Sequence, residues 1–266
     1  MPRIPPEDEF IVVLNKIITG NLVLEHDLSC VTKYGYGVRP AEAEAIKLVA
    51  KNMGTSIPIP EVVFTSFVPS RHNDSDYDGN IMMTLIQGST LQSKWDTLGE
   101  KIKESVCIQT WNMLSKIRSI QHPPGLTGLF QCAADGSPSR DPLLEDLQKP
   151  PRPLTNDLSL RIRIYERYIH FGGLRHKDQL LNMLLQSDST VFTHGDIAPR
   201  NIMVDEQNNI TGILDWECAG RYPGYWKYAQ IMRPAASWGD WATWMNRTAP
   251  QRWDLSGITI ARKVLF

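Results

Sequence analysis

Residues 191–216 carry the pattern that most restricts this chain. A short apolar run, Val191-Phe192-Thr193, leads into the loop His194-Gly195-Asp196-Ile197-Ala198-Pro199-Arg200-Asn201, and two strand-like runs follow, NIMV and ITGILDW, joined by the turn DEQNN. Short apolar runs bounded by turn residues read as buried strands. A hairpin that starts at Asn201 and ends at Asp215 returns the second acid to the mouth of the loop that holds Asp196. Local structure alone therefore gathers the oxygens of Asp196, Asn201 and Asp215.

Two carboxylates and an amide so arranged suit phosphoryl transfer. That reaction needs oxygen ligands for a Mg²⁺ ion on the nucleotide phosphates, and a carboxylate beside the acceptor hydroxyl. Asp196 and Asn201 have the D-x-x-x-x-N spacing of a kinase catalytic loop, in which the Asp is the base and the Asn binds metal. Asp215, across the hairpin, is placed to bind the second face of that metal. His194 reads as a hydrogen-bonded structural histidine that braces the loop. A metallohydrolase using His194, Asp196 and Asp215 is the competing metal chemistry, but zinc sites draw on three or four ligands rich in His or Cys, and no further partner presents itself. After the DWE at 215–217 there is no activation loop or A-P-E segment, which points away from a protein substrate.

Composition narrows the setting. With 28 basic and 29 acidic residues and a formal net charge of -1, no global field draws the protein to nucleic acid or an anionic membrane, so any phosphate is held locally. The start MPRIPPEDEF lacks a basic stretch followed by an apolar core, and no apolar run approaches the roughly 20 residues that span a bilayer. A soluble cytoplasmic protein is expected. Cys30, Cys107, Cys132 and Cys218 are far apart and form no CxxC pair, as expected of reduced, mostly buried thiols.

Upstream, Leu22–Lys33 reads as one or two strands ending in the turn Tyr34-Gly35-Tyr36-Gly37, and residues from Pro40 to about Met53 as a helix carrying Glu42 and Glu44. EVVFTSFV and IMMTLI are strand-like and are separated by the polar loop HNDSDYDGN, so the first 87 residues read as a small sheet with one helix. A helical part begins at residue 88. Ile102, Val106, Met113, Ile117 and Ile120 share a face over Lys101–Ile120. Seven prolines and three glycines between Gln121 and Leu160 mark a long ordered excursion or a mobile loop. A helix over Leu158–Phe171 is expected to turn Ile162, Tyr165 and Ile169 inward and Arg161, Arg163 and Arg167 outward, and another is expected over Lys177–Gln186. Six of the eight tryptophans lie beyond Asp215, with Trp238, Trp241 and Trp244 at helical spacing in a packed end.

The segment THGDIAPRNIMVDEQNNITGILDWECAGRYPGYWKY resembles the aminoglycoside phosphotransferase-like family, in particular its fungal members of unassigned substrate. VTKYGYGVRPAEAEAIKLV with SIPIPEV, and IMMTLIQGSTLQSKWDTL, extend the resemblance over most of the chain. It implies a two-lobed α+β protein-kinase-like fold, with an N-terminal lobe at 1–87, a catalytic and acceptor-binding lobe at 88–266, and ATP between them. By the same resemblance Lys33 grips the α- and β-phosphates and Glu42, or alternatively Glu44, is its helix partner. Met83, Thr84, Leu85 and Ile86 form the hinge that meets adenine through backbone groups. Ahead of Lys33 only Gly20 stands where a G-x-G-x-x-G would cover the nucleotide, which reads as a shortened first hairpin. The implied activity is transfer from ATP with Mg²⁺ to a hydroxyl of an aminoglycoside-like molecule, an amino alcohol or another metabolite. A pseudokinase or ligand-binding module with the same fold and little turnover is the alternative.

Overall fold

The computed structural model describes residues 22–26, 29–69, 77–233 and 239–265. Gly20, Trp238 and most of the polar loop before Tyr77 lie outside them. The first part is a four-stranded antiparallel sheet in the order β1-β2-β4-β3, built from β1 (Leu22–His26), β2 (Cys30–Tyr36), β3 (Val62–Pro69) and β4 (Tyr77–Thr84). Alternation along β4 buries Gly79, Ile81 and Met83 on one face. Between β2 and β3 runs α1 (Pro40–Met53), opened by Pro40 in its first turn, where a missing N–H costs nothing. Its Ala45, Ile46 and Val49 are buried against the sheet.

Beyond β4 the chain forms a short strand β5 (Ser89–Thr90), the single turn α2 (Leu91–Lys94) and the long α3 (Glu100–Ile117). Gly88 makes this crossing at φ 123°, where a Cβ would stand 2.5 Å from the Val204 carbonyl oxygen. The face of α3 that packs inward is Val106, Cys107, Thr110, Trp111, Leu114 and Ile117, while Ile102 is exposed. The stripe expected from the isoleucines is thus rotated toward Trp111.

The proline-rich excursion is ordered. It contains β6 (Cys132–Ala133) and sends Leu143, Leu144 and Leu154 into a second core with Leu160, Ile164 and Tyr168 of α4 (Asp157–His170). A reciprocal pair of hydrogen bonds between Asn156 and Ser159 caps α4. Its phase corrects the expectation above: Arg163 and Arg167 are buried, and Ile162 lies on the outer face. The alternating run Leu-Arg-Ile-Arg-Ile leaves two apolar stripes available, and the choice falls to buried acceptors. Arg163 donates to the Leu144 and Arg152 carbonyls and pairs with Asp146 at 2.7 Å, and Arg167 donates to the Glu145 carbonyl.

The helix expected over Lys177–Gln186 contracts to one turn, α5 (Leu180–Met183), with Leu180 and Leu184 buried in the second core and Leu185 packed against it. Then come β7 (Thr190–Thr193), β8 (Ile202–Val204), β9 (Ile210–Ile213), β10 (Gly220–Pro223), α6 (Trp226–Ile231), α7 (Trp241–Arg247) and α8 (Ser256–Arg262). Two three-stranded sheets result, β6-β10-β7 and β5-β8-β9. One apolar cluster runs from Val38, Ile46 and Ile81 through Trp111 and Leu114 to Ile213, Trp216 and Trp241, so the sheet and the helical part share a core. All four cysteines are free thiols, two of them buried. Among the described residues no helix is long and apolar enough to cross a membrane.

The phase of α4 is open to a direct test by urea unfolding. Ile164→Ala is expected to cost about 2–4 kcal/mol and Ile162→Gln less than about 1 kcal/mol; the reverse order would return the outer face to the core.

Candidate active site

The site forms where the small sheet meets the 191–216 segment. Lys33 enters from the middle of β2, opposite Ile81 of β4, and is 9% exposed. Its Nζ lies 2.9 Å from Glu42 Oε2, 2.9 Å from Asp215 Oδ1 and 3.2 Å from Glu217 Oε2. Glu42, on the first turn of α1, is 2% exposed. Glu44 instead pairs with Lys47 on the outer face, so the helix partner of Lys33 is Glu42.

One ammonium among three carboxylates leaves two negative charges in excess. Burial works against the charge on Lys33, but Glu42, Asp215 and Glu217 together outweigh it and hold its pKa well above the ordinary lysine value. Asp215 is held below the ordinary carboxylate range because Lys33 overcomes its burial. Glu42, the most enclosed of the three, is pushed up to about 7 by burial despite the pull of Lys33.

The loop at 194–201 is built around a buried imidazole. The Asp196 N–H donates to His194 Nδ1 at 3.2 Å, so the ring proton sits on Nε2, which donates to the Leu214 carbonyl at 2.9 Å. His194 also packs edge-on against Trp216, with ring centroids 4.5 Å apart. Burial keeps its pKa below the ordinary histidine value although Asp196 raises it, so the ring is a neutral brace, as its isolated position in the sequence suggests.

Gly195 turns at φ 85°, and a Cβ there would lie 2.2 Å from the Cys218 carbonyl oxygen. Asp215 is itself left-handed, at φ 63°, a conformation uncommon outside glycine and asparagine. It is fixed on both sides: the Leu214 N–H donates to the Asn201 carbonyl at 2.8 Å, and Trp216 Nε1 donates to the Ile213 carbonyl at 3.0 Å.

Asn201 Nδ2 donates to the Asp196 carbonyl at 2.8 Å and to Asp196 Oδ2 at 3.2 Å, so the nitrogen end of the amide is turned toward Asp196. Asp196 Oδ2 also accepts from Arg200, and Oδ1 from Arg233 Nη2 at 3.2 Å. Glu217, Arg200 and Arg233 join the residues singled out above. Glu217 lies two positions after Asp215 and Arg200 inside the loop motif, so both were within reach of the pattern. Arg233 follows α6 and carries no sequence signal.

At the expected hinge, Met83 is buried and two N–H groups are already engaged. Thr84 N–H donates to the Glu61 carbonyl at 2.9 Å, and Leu85 N–H to the Ser29 carbonyl at 2.8 Å. Thr84 Oγ1 accepts from the Glu61 N–H at 2.8 Å, so this threonine ties β4 to the entry of β3.

A lysine–glutamate pair under a small antiparallel sheet, facing a loop and hairpin that carry two aspartates and an asparagine, defines a protein-kinase-like phosphotransferase fold. The chain belongs to the phosphotransferase enzyme family, whose sequence pattern matches residues 37–245. No curated protein sequence matches it. Among solved structures it is similar to the ADP-bound aminoglycoside phosphotransferase APH(2'')-Ib, at 13% identity and a TM-score of 0.58, over 94% of this chain and 79% of that one. The gentamicin complex of APH(2")-IIa is similar at 15% identity and a TM-score of 0.56, over 97% and 80% of the two chains. An aminoglycoside-3'-phosphotransferase of type VIII is similar at 12% identity and a TM-score of 0.54, over 96% and 92%. These likenesses establish the α+β protein-kinase-like fold.

Two outcomes check the scaffold. Gly195→Ala is expected to destabilise the protein by about 1–3 kcal/mol in denaturant unfolding, because neither the φ nor the Cys218 carbonyl accommodates a methyl group. His194 has a folded pKa below its unfolded value, so the stability it contributes is present above about pH 6.5 and is lost as the pH falls. Wild type should therefore lose stability between pH 7 and pH 5 more steeply than His194→Gln, by up to about 1.4 kcal/mol per pH unit. Parallel curves would show that the imidazole is not held neutral.

Proposed function

We propose that this protein transfers the γ-phosphoryl group of ATP to a hydroxyl of a small molecule, in the cytoplasm where ATP is supplied. The observation that carries the proposal is the convergence of Lys33, Glu42 and Asp215 on one side of the 194–201 loop with Asp196 and Asn201 on the loop itself. In this reading residues 1–87 form the nucleotide lobe and residues 88–266 the catalytic and acceptor lobe.

Lys33 is the group for the α- and β-phosphates. Its three carboxylates hold it charged and extended, and Glu42 keeps it in place once phosphates compete for the ammonium. Adenine meets the main chain of the hinge at Met83, Thr84, Leu85 and Ile86. With the 84 and 85 N–H groups engaged, that contact falls to the carbonyls of the stretch and to Ile86.

The donor set fits magnesium. The Asp215 carboxylate and the amide oxygen of Asn201 are hard oxygen ligands, and the excess negative charge around Lys33 favours a divalent cation. When bound, magnesium supplies charge neutralisation on the β- and γ-phosphate oxygens. Asp196 is the base: its carboxylate orients the acceptor hydroxyl and takes its proton, while His194 and Asn201 hold the loop that presents it. The acceptor class extends from aminoglycoside-like molecules, the ligands of the structural relatives, to amino alcohols and other hydroxylated metabolites.

Asp196→Ala is expected to lower kcat by about 10²–10⁴-fold while sparing Mg-ATP binding, and Asp215→Ala to lose the magnesium-dependent part of nucleotide binding. Calorimetric titration with Mg-ATP and a coupled assay of slow ATP hydrolysis measure both. Full activity in the Asp196 variant would remove it from the base role, and no binding at millimolar ATP would sink the phosphotransferase reading.

A further inference from the structure

Asp196 is gripped by arginines on two sides, and the sides are not equivalent. Oδ2 is shared by Arg200 and Asn201 Nδ2, so it faces the half of the site where Asn201, Asp215 and Lys33 gather and where the nucleotide is proposed to lie. Oδ1 accepts from Arg233, a side chain 35% exposed that arrives from the end of α6. An acceptor hydroxyl that gives its proton to Asp196 has to reach Oδ1. It meets Arg233 first.

A second guanidinium lies near Arg233. Arg262 is buried, donating to the Ala229 carbonyl and to Gln230 Oε1, and its pKa is lowered to about 10 by burial, with Asp141 opposing the fall and Arg233 adding to it. The carboxylate on this side, Asp141, is 6% exposed and already accepts from the Leu143 N–H, Trp226 Nε1 and Gln230 Nε2. On this side Arg233 and Arg262 stand against Asp196 and Asp141, and of the two guanidiniums Arg233 is the one an incoming group can reach, since Arg262 is 6% exposed. A cationic group of an acceptor that approached Oδ1 would meet like charge in Arg233.

We infer that the acceptor carries an anionic group close to its reacting hydroxyl, as in a hydroxy acid or a phosphorylated alcohol, and that this group draws Arg233 off Asp196 and opens Oδ1. The inference rests on the phosphotransferase reading. In the reaction the acceptor oxygen bonds to the γ-phosphorus, the bond from that phosphorus to the β-phosphate bridging oxygen breaks, and ADP leaves. The hydroxyl proton passes to Asp196 Oδ1 and then to solvent. Arg233 becomes a specificity residue with two states, closed on Asp196 or closed on the acceptor anion. A guanidinium suits both, since its planar fork pairs with carboxylate and phosphate alike.

The test offers ATP and magnesium with three acceptor sets: hydroxy acids together with sugar phosphates, neutral polyols, and polyamino sugars. Products are read by mass as the gain of one phosphoryl group. Product is expected in the anionic set, and comparing its two members separates a carboxylate from a phosphate as the recognised anion. Arg233→Gln should raise the KM of that acceptor about 10- to 100-fold with the ATP KM within about 2-fold, and Arg233→Lys should recover part of the loss. A rise in the ATP KM instead would mean that Arg233 serves the γ-phosphate, and preferred transfer to neutral or cationic acceptors would also overturn the inference. Should no product form, thermal shift with the same three sets decides. Stabilisation of wild type but not of Arg233→Gln by the anionic set supports the inference, and no such difference rejects it. Mg-ATP binding, measured in parallel, reports separately on the phosphotransferase reading.

Discussion

The ammonium of Lys33 and its three carboxylates are the interaction on which the rest depends. It joins three pieces of chain with no local reason to meet: a strand, the first turn of the following helix, and the end of a hairpin 182 residues further on. Burying such charges is expensive, and a single cation cannot balance three anions in a dry site. Burial, with a smaller push from Asp215 and Glu217, raises the Glu42 pKa to about 7 against the pull of Lys33, since the most enclosed carboxylate is the one least able to stay ionised. A site of this kind is poised to accept further positive charge. One proposed magnesium ligand, Asp215, is itself a member of the cluster.

Opposite this charged cluster the 194–201 loop is held by neutral contacts. His194 is wedged between Trp216 and two backbone groups, and its single ring proton is spent on Leu214. That brace explains how Asp215 remains in a left-handed conformation: its neighbours Leu214 and Trp216 are both pinned, so the strain is shared over a rigid turn. The division is functional as well as structural. The apolar and neutral groups set positions, and in the proposed reading the charged groups exchange partners when phosphates arrive.

The Asp196 loop combines both properties. Asn201 fixes the carboxylate through its backbone and Oδ2, whereas Arg200 and Arg233 hold it through contacts that a charged ligand can take over. In the proposed reading Asp196 is a base closed by ion pairs in the free protein, and arrival of the acceptor would open it. Affinity and the onset of chemistry would then share one guanidinium.

The local pattern by itself determined the 191–216 unit, because each of its parts is a short-range matter: an apolar strand, a glycine turn, a loop of set length and a hairpin with a polar turn. Asp196, Asn201 and Asp215 could be named without tertiary structure for that reason. The α1 helix and its boundaries followed equally from Pro40 and a run of strong helix formers. Other questions turned on partners distant in sequence. Glu42 and Glu44 are equivalent on paper, and only the packing of α1 under the sheet turns Glu42 toward Lys33. The isoleucines and arginines of α4 offered two phases, and buried carbonyls of the excursion at Leu144, Glu145 and Arg152 selected the one that encloses Arg163 and Arg167. Arg233 had no motif to announce it. Its place beside Asp196 comes from the path of the chain after α6, which short-range periodicity does not encode and close packing of the whole molecule does.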